Sequence, residues 1–581
     1  MALMQSLKDS AAVVDSSTCS DIENALASPS SAARGKLADA LEIFEAAKKL
    51  GALLSRIKGS TSEDLEVALR DLAADNRRKL DEALRSFTPN ASVRLDSAAG
   101  CVEVEFVVDR DLSEPSDEIV YVLATVRPPS DENAKRQPSD VVCVIDISGS
   151  MGAEAKIQGS GGTSESNGLS LLDVAKHGVR TIIKTLGEQD RLAIVSFNHE
   201  SRVVVPLTRM DTEGQAQAEQ ALDTLGPGGG TNIWAGIESA LDELSKNPGP
   251  GNFGHVMLLT DGESSNREQI KPNLEQYIKT HERLPGTINT FGFGYNLDSV
   301  LLVDLAETGS GSYSFIPDAG FVGTAFVNTI SNLLVTMARE VYLTLSVEDG
   351  NTAIIENRVM GGYPSEVIGD SVRVNLGTLQ YGQTKDIIIP VKVGTFHDCF
   401  LAGRVQYETS LAGKKDESLC AYADGKLFDR DRVAIHYSRC LFADTLQKAL
   451  AVARTSSCEE ARGILEAAIV TVSASSAKDH DNIIKLLEDM NGQSTEALCK
   501  QEWFMKWGRH YLPSLMFAHR LQQCNNFKDP GVQVYGGELC KTLQDAADDL
   551  FNKLPPPKPS IKRASVVAPT SMAHFNDRYG G

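Results

Sequence analysis

No uninterrupted run of about 18 apolar residues, the length that crosses a bilayer, occurs in this 581-residue chain, so no membrane span is expected. The first residues reach Lys8, Asp9 and Ser10 before an apolar stretch of secretory length develops, and no signal peptide is expected there. The ten cysteines contain no Cys-x-x-Cys pair. That removes the common zinc and redox spacings and fits reduced thiols in a cytoplasmic protein. Basic residues are outnumbered, 57 against 78 acidic, for a formal charge of −21. Such a chain repels phosphate backbones, so no nucleic-acid partner is expected. What is present is ordinary globular material, 42% apolar and 23% charged, in a chain too long for one core.

The periodicity changes along the chain. Residues 36–57 and 62–87 place apolar side chains at three- and four-residue spacings, with Gly59 and Ser60 between them, so a helical hairpin is expected within 1–90. Alternation then takes over in "SVRLDSAAGCVEVEFVVD" and "EIVYVLATVRPP", and similar strands return only after residue 340, in "VYLTLSVEDG", "SVRVNLGTLQYGQTKDIIIPVKV" and "LAGRVQYETSLAG". This predicts a β-sandwich built from 91–138 and 339–428 and interrupted by an inserted domain, although two separate small sheets fit the same pattern.

Between them, "VVCVID", "RLAIVSF", "HVMLLTDG" and "INTFGFG" alternate with helical spacings, as in a parallel sheet covered on both faces. Residues 429–553 read as helical, with Trp503 and Trp507 expected to fill a helical core, and 554–581 as a flexible tail. Within that tail "PPPKP" fits a polyproline II ligand and "KRAS" a basophilic phosphorylation site, both short patterns that often arise by chance. The expected fold class is therefore multi-domain: α/β, β-sandwich and α-helical.

Three loops of the α/β region lie where strands should end, the place where such sheets bind ligands. Asp146 closes the first strand and is followed by Ser148 and Ser150. Thr231 follows a glycine run, "GPGGGTN", at the start of a helix, and Asp261 closes another apolar strand. Asp, Ser and Gly at strand ends also make ordinary polar turns. Read as ligands, however, two carboxylates and three hydroxyls are all oxygen and suit a small hard cation such as Mg²⁺, not a soft metal. If the hydroxyls bind directly, the protein supplies less negative charge than a divalent ion needs, and an outside oxygen from a partner's Asp or Glu completes the shell.

The pattern Asp-x-Ser-x-Ser, then Thr in a Gly-rich loop, then Thr-Asp-Gly after an apolar strand resembles the metal-ion-dependent adhesion site of von Willebrand factor A domains. The resemblance covers roughly 138–338, with the domain taken as 139–338, and all five positions match. It implies binding of Mg²⁺, or of Mn²⁺ or Ca²⁺, by Asp146, Ser148, Ser150, Thr231 and Asp261, and capture of a protein partner that presents an Asp or Glu. The stretch 152–168 is longer and richer in Gly and Ser than a tight loop requires. "NNFKDPGVQVYGGELC", with the helices from about 430, resembles the Vwaint region found beside such domains, sometimes with ubiquitin-pathway modules. No U-box, RING or Hint module is visible, and the Cys–His spacing of a zinc module is missing.

These readings predict an intracellular interaction scaffold without catalytic residues. The alternatives are a component of ubiquitin signalling, which the terminal Gly580-Gly581 supports only faintly, and a purely structural metal. A haloacid-dehalogenase-like phosphotransferase wants Asp where Ser148 stands, "GPGGGTN" has no P-loop Lys, and "SGSMG" lacks a hydrolase elbow. His510, His519 and Cys524 fall on helical stretches where they could meet, with simple packing the plainer reading. The sequence assigns no oligomeric state.

Overall fold

The alternating segments on either side of the central region pair across it. The computed structural model describes residues 102–561 apart from 113–118, 130–135, 156, 159–163, 166–167, 247–248, 250, 263, 265, 348–353, 356–358, 370, 394–398, 410–418, 424–426 and 525–528. All belong to the second of two compact units, Gly100–Gly581, so the hairpin expected within 1–90 lies outside the described residues, as does the Gly-Gly end. Strand β1 (Glu103–Val108) lies antiparallel to β2 (Ile119–Arg127), and β2 pairs on its other edge with β15 (Lys385–Lys392), Leu123 facing Ile388. A two-residue β12 (Ile354–Ile355) completes this four-stranded sheet.

The second sheet runs β13 (Ser365–Ile368), β14 (Ser371–Gln380), β11 (Thr336–Val347), β16 (Leu401–Thr409), β17 (Leu419–Ala423). The period of two sends Val120, Val122 and Ala124 inward, where they share one core with Leu343, Leu345, Val374 and Val405 of the second sheet. This is one interrupted sandwich, not two separate sheets. The opposite face of the first sheet, Leu123 and Ile388, packs on Val433 and Cys440 of the helix Arg430–Thr455.

The inserted region holds a six-stranded sheet in the order β10 (Ser310–Ile316), β9 (Gly286–Phe293), β8 (Phe253–Thr260), β3 (Ser139–Asp146), β6 (Arg191–Phe197), β7 (Ser201–Arg209). All neighbours are parallel except β6 and β7. Every residue of β3, β8 and β9 is buried, which is why these strands read as continuous apolar runs. Val142 and Val144 pack under helices Ile233–Lys246, Arg267–His281 and Ser299–Thr308, whereas Val141, Cys143 and Ile145 pack under Leu171–Thr185, Thr212–Asp223 and Val322–Leu334. A small hairpin, β4 (Ile157–Gln158) with β5 (Ser164–Glu165), interrupts the long loop after β3.

The C-terminal helices are not an isolated body. Phe442, Leu446, Tyr511 and Leu515 share a core with Ile288, Tyr313 and Phe315 of the parallel sheet. Helix Arg509–Leu521 covers the free edge at β10: Phe315 N donates to Ser514 Oγ and Ser514 Oγ donates to Tyr313 O, both at 3.3 Å. That contact satisfies backbone groups which an open edge would offer to another chain. The expected tryptophan filling is corrected by the structure. Phe504 is the fully buried residue, Trp507 packs on the flank of the core, and Trp503 lies with the Lys500 ammonium 4.6 Å from its ring centre.

Candidate cation site

Asp146 ends β3 fully buried, and its two oxygens are used differently. Oδ1 accepts from Ser148 N at 2.8 Å, and Oδ2 accepts from Thr260 Oγ1 at 2.5 Å. The first contact is an ordinary Asx turn, so the polar-turn reading is met in part. The second ties the loop after β3 to the end of β8, and Thr260 Oγ1 in turn accepts from Gly262 N at 2.9 Å. Backbone bonds fix the Gly-rich loop against the first: Gly149 N donates to Gly229 O at 3.1 Å and Gly228 N to Ile147 O at 2.7 Å. Ser264 Oγ donates to Thr231 O at 3.2 Å and joins the third loop to the second. Each of the three loops is thus bonded to the other two, and the loops that carry all five sequence-derived residues meet at one edge of the sheet.

The local sequence explains this arrangement. Gly229 has φ +86°, a left-handed conformation that strains any side chain, and a Cβ there would sit 3.0 Å from His199 Nδ1. Gly262 has φ +77° immediately after Asp261. Asn232 Oδ1 accepts from Ala235 N at 3.2 Å and caps helix Ile233–Lys246, which places Thr231 just ahead of its N-terminus. Ser148 Oγ and Ser150 Oγ lie 3.0 Å apart. Ser148 and Asp261 are buried, Ser150 and Thr231 half-buried.

The electrostatics single out Asp146. Burial pushes its carboxyl above the usual carboxylate range, and hydrogen bonds from Ser148 and Thr260 pull part of the way back. No Lys, Arg or His among the described residues stands within ion-pair distance of it; its partners are neutral, Thr260 through its hydroxyl and Ser148 through its backbone N–H and side chain. No group of three or more His, Cys, Asp or Glu among the described residues is arranged for a metal, so a cation here depends on hydroxyl ligands. That donor chemistry fits a hard ion of the Mg²⁺ kind.

The roles of three supporting residues escaped sequence reading, although Thr260 is the Thr of the Thr-Asp-Gly pattern. Thr260 looks like the last member of an apolar run, yet it holds Asp146. Asn198 Nδ2 donates to Gly228 O at 3.0 Å and Asn198 O accepts from Asn232 N at 2.6 Å, fixing the Gly-rich loop. Ser264 fixes Thr231. The histidines and Cys524 do not assemble. His510 lies between Ser299 Oγ at 3.0 Å and Tyr295 O at 3.2 Å, with burial pushing it down to about 3. His519 bridges Asp489 and Tyr535, and Cys524 O accepts from Asn332 Nδ2. A cavity of about 420 Å³ lies at the opposite edge of the sheet, but its Arg283 and Arg339 are both engaged by Glu408. The chemistry is on the loop edge instead.

A parallel sheet with helices on both faces and polar loops meeting at its carboxyl edge is the arrangement that the sequence resemblance implied, and residues 141–263 match the profile of the von Willebrand factor type A domain. Residues 480–549 match the profile described as VWA / Hh protein intein-like, Vwaint. The chain is a von Willebrand factor A domain protein with a C-terminal Vwaint-like region. Among solved structures it is similar to the von Willebrand factor type A protein from Catenulispora acidiphila, with TM-score 0.52 and 18% identity over 68% of this chain and 91% of that one. That likeness concerns the fold. The chain is 28% identical over 204 residues to the protein YfbK of Escherichia coli, which is 35% of this chain. It is 26% identical over 338 residues, 54% of this chain, to the probable E3 ubiquitin-protein ligase WAVH2 of Arabidopsis thaliana. The matches span 32% and 42% of those two relatives' own lengths.

Proposed function

We propose that this chain is a protein-interaction scaffold of the cytoplasm. Its A domain holds Mg²⁺ with Asp146, Ser148, Ser150, Thr231 and Asp261 and captures a carboxylate of a protein partner through it. The observation that carries this reading is the buried Asp146 carboxylate, held only by neutral donors in a cluster of three mutually bonded loops. An isolated buried carboxylate is costly unless a positive charge compensates it. Bound there, the ion supplies that charge and a Lewis-acidic position for an outside oxygen. The chain's own residues do the rest: Thr260 and Ser148 N orient Asp146, and Asn198 and Ser264 fix the loop that presents Thr231. The cysteines described are free thiols, which supports the cytoplasmic setting.

Calorimetric titration of the full chain with MgCl₂ tests the ion, with binding expected in wild type and lost in Asp146→Ala. Affinity capture from cell extract, using both proteins with Mg²⁺ or chelator, tests the partner. At least one protein is expected to disappear on either treatment while circular dichroism shows the fold intact. An unchanged set in all four conditions removes the capture role, and Mg²⁺-dependent melting without Mg²⁺-dependent partners indicates a structural ion. The printed names of WAVH2 and of a second Arabidopsis relative, the E3 ubiquitin-protein ligase WAV3, favour recruitment within ubiquitin signalling as a second reading. Loss of ubiquitin transfer to a captured partner on Asp146→Ala distinguishes it from a scaffold of another pathway.

A further inference from the structure

The segment after the last helix is bonded to the strand-to-helix connection that carries two of the five cation residues. Helix Glu538–Lys553 is seated on helices Leu171–Thr185 and Val322–Leu334. Its Phe551 packs edge-on against His177, ring centres 5.0 Å apart, and against Gly323, where a Cβ would come within 2.5 Å of the ring. Beyond Lys553 the chain reads Leu-Pro-Pro-Pro-Lys-Pro-Ser, and prolines restrict φ so that little entropy is lost in holding Ser560 at a fixed reach.

Ser560 then joins the capping box of helix Leu171–Thr185. Its N donates to Asp173 Oδ2 at 3.1 Å, its Oγ donates to the same oxygen at 2.6 Å and lies 3.1 Å from Ser170 Oγ, from which it can accept, and Ile561 N donates to Gly168 O at 3.2 Å. The contact continues to the cation loop through the backbone. Leu171 N donates to Ala153 O at 2.9 Å, Ala155 N to Leu169 O at 2.8 Å, and Ala153 N to Ser150 O at 2.8 Å.

We propose that Leu554–Ile561 is a latch on the segment that positions Ser148 and Ser150, and that the exposed hydroxyl of Ser560 is a phosphoryl acceptor whose modification opens it. Its consequence for the cation rests on the reading given above, whereas the latch itself does not. In the modifying step the γ-phosphoryl group of ATP passes to Ser560 Oγ: an O–P ester bond forms, the β–γ anhydride bond breaks, the hydroxyl proton leaves to a base, and ADP departs. The Oγ–H donor is lost, and a phosphate with close to two negative charges takes its place beside the Asp173 carboxylate. A helix N-terminus attracts phosphate, but only as a partial charge whose effect fades within a turn. Full like charges in contact outweigh it, so the latch releases.

The test uses the full chain with phosphoserine at 560, alongside Ser560→Ala, each in wild-type and Asp173→Asn backgrounds. Amide hydrogen exchange is read first without metal. Phosphoserine is expected to raise exchange of 168–171 and 560–561 by roughly tenfold, the effect of losing one or two net hydrogen bonds. Ser560→Ala should raise it less, and Asp173→Asn should suppress the phosphoserine effect by removing the opposing charge. Exchange unchanged by phosphoserine overturns the latch. Raised exchange with an unaltered Mg²⁺ titration overturns its link to the cation loop. A wild-type chain that binds no Mg²⁺ defeats the cation reading and leaves the latch to be decided by exchange alone.

Discussion

Strand β3 carries a buried carboxylate near each end, and the protein treats the two in opposite ways. At the base, Asp140 accepts from Arg191 Nε at 2.8 Å and Nη2 at 2.5 Å and from Asn252 Nδ2 at 2.7 Å. Its neighbour Asp190 is likewise forked by Arg136, at 2.8 and 2.5 Å. At the carboxyl end of the same strand Asp146 has only the neutral donors of Ser148 and Thr260 and no arginine among the described residues. Buried charge at the base is compensated inside the chain and serves stability. At the loop edge no cationic side chain among the described residues compensates Asp146, and on the proposed reading a bound ion does so instead.

The sharpest way to break this contrast is to make the base resemble the loop edge. Arg191→Ala leaves Asp140 buried with only Asn252, and removing one partner of a buried pair costs about 3–5 kcal/mol. Urea unfolding should show a loss of that order, equal with Mg²⁺ or chelator; a loss that Mg²⁺ reverses would mean that the base also takes a cation. Next in size is the ion's own contribution. A ligand at a hundred times its Kd adds about 2.7 kcal/mol to the folded state. Wild type should gain it between chelator and saturating Mg²⁺, and Asp146→Ala should gain nothing.

Much of this was legible from sequence where burial is two-sided or chemistry is local. The runs at 141–146 and 255–262 read as parallel strands because both faces are covered, and Asp146, Ser148 and Ser150 announce themselves by spacing. β7 was not legible. It is an edge strand, half exposed, with Pro206 in its middle, and each of those features weakens a strand pattern. Helix Arg267–His281 was hidden by Pro272 and a mostly polar surface. The pairing of β2 with β15, and of Arg136 with Asp190, depends on which distant segments the topology brings together, and no local pattern encodes that. Thr260 escaped for the reverse reason: at the end of "HVMLL" a Thr is a normal strand residue, and only the short contact to Asp146 shows its second role.

The same Asp→Asn exchange at the two ends of β3 should move melting in opposite directions. Burial raises the folded-state pKa of Asp146, so the folded chain holds that proton more tightly than the unfolded chain does. Its contribution to metal-free stability is therefore full below the ordinary carboxylate value of about 4 and is lost as pH rises through the folded pKa. Asp146→Asn keeps an acceptor for Ser148 N, offers an N–H to Thr260 Oγ1, and carries no charge. In chelator it should melt above wild type at pH 8, with the gap closing toward pH 4. Asp140→Asn should melt below wild type at pH 8, because Arg191 loses its counter-charge. If both substitutions shift melting in the same direction, the two ends of β3 do not differ in the way described.

The smallest effect separates holding the fold from holding the ion. Ser264→Ala deletes the 3.2 Å bond to Thr231 O, a neutral and partly buried contact. A typical hydrogen bond contributes about 0.5–1.5 kcal/mol, and water can reach the half-buried Thr231 in place of the lost hydroxyl, so the change in unfolding free energy should lie at the bottom of that range. Mg²⁺ affinity should respond more, because this bond sets the third loop against the second and so places Thr231 relative to Asp261. Residues that orient metal ligands commonly change affinity by about tenfold or more when removed. A Ser264→Ala chain with unfolding close to wild type and a Mg²⁺ titration shifted by about that factor would show the loop edge organised for its ion and not for the fold. Equal, small losses in both would place Ser264 among the ordinary turn residues.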